Sequence, residues 1–154
     1  MSNMTLEQAK YTLQQNLAQG MECPCCQRFT KRYRRKLNNG MARSLIAIHR
    51  WFCQSGHQGH KWLHVVEEMG LTAHHEEYSK LRYWDLLEQD VREDGKPTGL
   101  WRITEKGYLF LENRLTVEKY VYLVNAELVG MNGPQVSIKD ALGEKFDYEE
   151  LMAV

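Results

Sequence analysis

The chain of 154 residues has no run long and apolar enough to span a bilayer, which excludes a membrane helix on sequence grounds. Its first residues, Met1 to Gln8, are polar and lack the charged start and apolar stretch of an export leader. A cytoplasmic protein is therefore expected, in a host cell's cytoplasm if a phage encodes it. Cysteine is scarce and poorly spaced for a disulfide framework: Cys23, Cys25 and Cys26 fall within four positions and Cys53 stands apart, so reduced thiols fit better. There is no internal repeat or low-complexity tract. No glycine-rich phosphate loop, nucleophile elbow or isolated carboxylate pair in an apolar setting is present either. With no residue for catalysis to rest on, the chain reads as a binder or regulator, not an enzyme.

What is present is an uneven distribution of charge. Formal net charge is zero, yet residues 1–50 hold nine Lys and Arg against Glu7 and Glu22, a surplus of seven that the remainder cancels with acids. Such a dipole calls for an anionic partner at the front, or for attraction between front and back or between copies. Six of the cations, Arg28, Lys31, Arg32, Arg34, Arg35 and Lys36, lie within nine positions and are interleaved with Phe29 and Tyr33. Cations this dense repel one another unless anions relieve them, and phosphates do so with release of counterions. The competing reading is a solvated face neutralised by the acidic rear of the same molecule.

Local signals set the expected elements. Thr5-Leu6-Glu7-Gln8 has capping-box form and opens a helix over 6–18 with Leu6, Ala9, Leu13 and Leu17 at helical spacing, before Gly20. After the cysteine turn and basic segment, Asn38-Asn39-Gly40 reads as a break, and a second helix runs from Met41 to about Cys53, burying Leu45, Ile48 and Trp51 or Phe52. Ser55 to Gly59 interrupts it; Lys61 to Met69 is a short helix or strand closed by Gly70-Leu71-Thr72. Tyr78 to Leu87 reads as a helix, Val91 to Ile103 as a two-stranded hairpin, and Thr104 as the N-cap of the next helix. In the tail, Tyr120 to Val124 is a strand open to pairing with Glu127 to Met131; left as an edge, it is expected either to complete the sheet of the 91–103 hairpin or to pair with a second chain, the latter giving a homodimer. Asn132-Gly133-Pro134 is expected to turn, Ser137 to cap a short helix and Asp147 a last one.

Lys80-Leu81-Arg82-Tyr83-Trp84-Asp85-Leu86-Leu87-Glu88, a loop with Asp94-Gly95, and Gly99-Leu100-Trp101-Arg102-Ile103-Thr104-Glu105-Lys106-Gly107-Tyr108 together resemble the winged-helix module of small bacterial regulators. Asp85 stands where many such modules have glycine. The resemblance covers about residues 60–114 and implies an α+β, mainly helical single domain: amino-terminal helices with the cysteine turn over 1–59, a winged-helix-like core over 60–114, and a strand and short-helix extension over 115–154. Cys23-Pro24-Cys25-Cys26, Tyr33 to Leu37, Gly40 to Arg43, Leu81 to Trp84 and Phe146-Asp147-Tyr148 also resemble proteins of tailed bacteriophages and prophages.

These readings give candidate sites. Nucleic acid, DNA in the first instance, is expected to meet Arg28, Lys31, Arg32, Arg34, Arg35, Lys36 and Arg43, supported by Lys80, Arg82, Arg92 and Lys96. The helix that would read a groove is an awkward witness, since from His75 to Asp90 five acids face two cations. Zinc is a candidate cofactor: Cys23-x-x-Cys26 has knuckle spacing, and Cys53 with His57, or His57 with His60, would complete a tetrahedral set, the alternative being reduced cysteines in a turn packed on the first helix. A metal-hydrolase reading of His60 and His64 fails because Lys61 stands where a zincin needs glutamate. The rival to nucleic-acid binding is a protein-interaction module, an inhibitor or adaptor of a host factor that uses the acidic part of the chain.

Overall fold

The computed structural model describes residues 4–54, 62–69 and 73–153, and of 73–77 the backbone alone. The chain forms two compact units. Unit 1 takes the chain up to Lys36 together with Tyr120–Gly133, and unit 2 comprises Leu37–Lys119 and the chain from Pro134 onward.

Unit 1 begins with helix α1, Leu6–Asn16, whose capping box forms as expected: the Gln8 N–H donates to Thr5 Oγ1 at 3.1 Å and the Thr5 N–H to Gln8 Oε1 at 3.0 Å. Only Ala9 of its apolar stripe is buried, and Leu6 stays 61% exposed. Strands β1, Met21–Glu22, and β2, Phe29–Thr30, then form a small antiparallel hairpin around the cysteines. The basic segment itself is a strand, β3, Arg32–Lys36. It pairs antiparallel with β7, Val117–Val124, which pairs in turn with β8, Glu127–Val136. The turn between β7 and β8 has two residues, Asn125 and Ala126, both at positive φ (51° and 63°), as a type I′ hairpin requires.

Unit 2 is organised by helix α2, Asn39–Gln54, which buries Met41, Leu45, Ile48 and Phe52 at helical spacing. Asn38 is its cap: the Met41 N–H donates to Asn38 Oδ1 at 2.9 Å, so the expected break is the helix start. Strand β4, Leu63–His64, leads directly into helix α3, Val65–Met69. A 3₁₀ helix, Ala73–Trp84, packs on α2 and buries Tyr78, Leu81 and Trp84. It ends in a Schellman motif, with Asp85 at φ 59°, its N–H bonded to Arg82 O and the Leu86 N–H to Leu81 O. Strands β5, Leu87–Val91, and β6, Pro97–Ile103, form the hairpin, and β4 lies on the other side of β6. Helix α4, Glu105–Leu111, follows, capped by Thr104, whose Oγ1 accepts from the Gly107 N–H and donates to Asp85 O. Gly107 is needed there, because a Cβ would stand 2.2 Å from Leu86 O. Helices α5, Ile138–Leu142, and α6, Tyr148–Met152, close the unit with Ser137 and Asp147 as their caps.

The expectation of a mainly helical α+β chain with a winged-helix-like core, amino-terminal helices and a short extension is therefore corrected. The described residues are mixed α/β, with eight strands in three antiparallel sheets beside the helices. Within 78–108 a helical segment, a ribbon and a helix follow one another with shifted bounds: the segment is a 3₁₀ helix that ends at Trp84, and Leu87, expected in the helix, opens a first strand that ends at Val91, where it was expected to begin. The remaining difference arises in the amino-terminal stretch, which contributes β1, β2 and β3, and in the tail, where Asn132-Gly133-Pro134 continues β8 instead of turning. Tyr120 to Val124 does not complete the β4-β6-β5 sheet of the hairpin; it is the middle strand of the β3-β7-β8 sheet and not an edge. The expected interruption at Ser55 to Gly59 and the stop at Gly70-Leu71-Thr72 lie outside the described residues, as do His57 and His60. Among the described residues no helix is long and apolar enough to cross a membrane.

Candidate nucleic-acid interface

Strand geometry sorts the basic segment into two faces. Side chains two apart share a face, so Arg32, Arg34 and Lys36 project on one side and Tyr33 and Arg35 on the other. Across the β3/β7 ladder, Arg32 pairs with Val124, Arg34 with Tyr122 and Lys36 with Tyr120, which puts both tyrosines on the face of the three cations. The Arg34 guanidinium lies over the Tyr120 ring at 4.5 Å and that of Arg32 over the Tyr122 ring at 5.2 Å. On the opposite face, Lys31 and Arg35 approach the Tyr33 ring at 5.6 and 6.0 Å, and the β7 residues there, Val121 and Leu123, are buried.

Cations on one strand face stand ~7 Å apart, and neighbours at that distance repel by about 0.6 kcal/mol in water. A cation–π contact at an exposed site is worth about 0.5–1 kcal/mol. The two are comparable, so the rings let the strand hold its charge without recruiting acids. Accordingly, among the described residues no ion pair uses Arg28, Lys31, Arg32, Arg34, Arg35 or Lys36. All five residues of β3 are exposed. Unit 1 carries seven Lys and Arg against Glu7, Glu22 and Glu127, a surplus of four, and unit 2 the matching deficit.

The other expected contacts belong to unit 2, and three of the five are held by local partners. Arg82 donates to Ser79 O at 3.1 Å and to the Tyr83 hydroxyl at 2.9 Å; Arg92 pairs with Asp94 at 3.4 Å; Arg43 lies over the Phe146 ring at 4.4 Å. Lys80 is half-buried, and Lys96 is exposed on the hairpin beside Glu93 and Asp94. These five side chains therefore do not extend the β3 surface within one unit.

The cysteine turn has part of what a metal would need. The Cys23 N–H donates to Arg28 O at 2.7 Å, and the Gln27 N–H to Cys23 O at 2.8 Å with Gln27 at φ 62°, so the chain reverses tightly. Backbone N–H groups of Cys26 and then Cys25 turn toward the Cys23 sulfur and hold its thiol below the usual range. Cys53 belongs to unit 2, its sulfur 3.8 Å from His49 Nε2. Among the described residues no group of three or more His, Cys, Asp or Glu could hold one ion. His64 is likewise occupied: its Nδ1 accepts from the Glu67 N–H at 3.2 Å, capping α3.

Tyr120 and Tyr122 are the residues that sequence reasoning did not assign to this site. Their signal was the alternation of Tyr120 and Tyr122 with Val121 and Leu123, the period-two mark of a strand with one buried face. No protein-family model, curated protein or solved structure matches this chain.

Proposed function

We propose that the protein is a non-catalytic nucleic-acid-binding regulator of the cytoplasm, phage-type in its resemblance, that grips phosphates with the Arg32, Arg34 and Lys36 face of β3, flanked by Arg28 and Lys31. One observation carries this reading: a dense cationic strand is exposed, with no acidic partner among the described residues. Internal neutralisation, the competing account of the same sequence, requires ion pairs that those residues do not form. Phosphate oxygens are the complementary ligand because each neutralised phosphate releases condensed counterions, a gain that the cation–π contacts do not forfeit. The regulator likeness of residues 60–114 belongs to the same reading and is supported by the β4-β6-β5 order with α4 following the hairpin. In this reading the direct contacts come from unit 1, while Arg82 and Arg92 stay with their own partners.

Salt-titrated fluorescence anisotropy with duplex and single-stranded DNA tests it. Affinity is expected to fall steeply with salt, and the double variant Arg32→Glu, Arg34→Glu to lower the magnitude of the log–log slope by about two while leaving thermal stability within about 0.5 kcal/mol of the parent. Absence of binding at low salt would overturn the reading in favour of a protein-interaction module working through unit 2.

A further inference from the structure

The face that carries the cations also carries two aromatic rings and a groove, and phosphate binding alone uses neither. The groove, of about 310 Å³, is lined by Arg32, Tyr122, Val129, Gly130, Met131 and Asn132. The Tyr122 hydroxyl donates to Asn132 Oδ1 at 2.9 Å, which holds the ring in place. With its oxygen so engaged, the Asn132 amide group keeps two N–H donors for an incoming acceptor.

We propose that this face takes a single-stranded nucleic acid, with a nucleobase in the groove beside Tyr122 and Asn132. The proposal rests on the reading above, that the Arg32 to Lys36 face meets nucleic acid, and names its substrate class. Two arguments converge. A duplex hides the faces of its bases in the stack, so rings and guanidinium planes can meet only bases that have left it. Arg32 at 5.2 Å from the Tyr122 ring centroid and Arg34 at 4.5 Å from that of Tyr120 also set a guanidinium against each ring. A base can stack on the guanidinium, or displace it and stack on the ring while the cation moves to the adjoining phosphate. Either way the strand of cations follows the backbone while the tyrosines and the Asn132 amide serve the bases.

The experiment uses the full chain and fluorescein-labelled oligothymidylate, oligouridylate and the duplex of oligothymidylate with oligoadenylate, read by anisotropy at low and moderate salt. Either single strand is expected to bind about tenfold or more tightly than the duplex. Tyr122→Ala and Tyr120→Ala are each expected to weaken single-strand binding by about 5- to 150-fold, the range for loss of one base stack. Duplex binding by both alanine variants, which the cations carry, should stay within about threefold of the parent, and this guards against mistaking a folding defect for a lost contact. Asn132→Asp, which puts a carboxylate in the groove, should weaken single-strand binding more than duplex binding. Equal affinity for duplex and single strands, or tyrosine variants that bind as the parent does, would overturn the single-strand proposal and leave the phosphate reading intact. Failure to bind any of the three nucleic acids at low salt would remove both.

Discussion

Unit 2 buries Trp84, Phe110, Leu45, Ile46, Ile48, Leu63, Leu81, Leu86, Leu87, Ile103, Leu111 and Ile138 almost completely, whereas the buried residues of unit 1 are Ala9, Thr30, Val121 and Leu123. The two also differ in how they treat charge. Unit 2 pairs Arg92 with Asp94, Arg102 with Glu88, Arg114 with Glu112 and Lys139 with Glu149, while in unit 1 Lys31, Arg32, Arg34 and Arg35 lie against tyrosine rings. A unit with a thick core and several of its cations held in ion pairs is built for persistence. A thin sheet with a cationic strand that no described acid pairs suits the nucleic-acid contact proposed above.

The sharpest test of that division is Phe110→Ala, which removes a fully buried ring from unit 2. It is expected to cost about 3–5 kcal/mol in urea denaturation and to leave the salt slope of nucleic-acid binding unchanged under conditions where the variant is folded. A Phe110→Ala cost of only a few tenths of a kcal/mol would break the comparison. Gly107→Ala comes next, because its Cβ would meet Leu86 O, a backbone atom that cannot swing away. A loss of about 1–3 kcal/mol is expected, and a neutral result would refute the close approach of α4 to the Leu86 backbone.

A smaller effect of opposite sign belongs to unit 1. Ala126 sits at φ 63° in the β7/β8 turn, where a side chain is strained and glycine is not. Ala126→Gly is expected to raise stability by up to about 1 kcal/mol, read as an upward shift of the midpoint in thermal melts. A downward shift would refute the left-handed turn. The smallest effect is one of pH in unit 2. Burial holds His49 below its ordinary pKa, with the Glu112 carboxylate pulling the other way. The unfolded imidazole therefore protonates first as pH falls, so this contribution to stability is full above about pH 6.5 and drains below it. His49→Phe removes the titrating group and should flatten the slope of melting temperature against pH in that window; an unaltered slope would assign the acid sensitivity elsewhere.

Much of unit 2 was legible in the sequence because its signals are local. Thr104 with Gly107, Ser137 with Asp140, and Asp147 with Glu150 each mark a helix start within three residues, and each cap forms. Asp85 in the glycine position of the regulator-like segment takes the left-handed conformation that the position demands. The basic strand was not legible, since Arg-Tyr-Arg-Arg-Lys has little strand propensity of its own and reads equally well as a solvated loop. Its conformation comes from β7, which supplies Val121 and Leu123 on one side and the two tyrosines on the other, some ninety positions further along the chain.

By itself the sequence determined the capped starts of α1, α4, α5 and α6, the loop that turns the β5/β6 hairpin, and that the front of the chain would be positive. Those properties depend on side chains within a few positions of one another, or on a simple count of charge. Only the tertiary structure decided that the cations form a strand, that alternate ones share a face with Tyr120 and Tyr122, and that acids do not cancel them. Strand pairing joins distant segments, and which distant segment supplies the partner is not encoded in the local pattern of either.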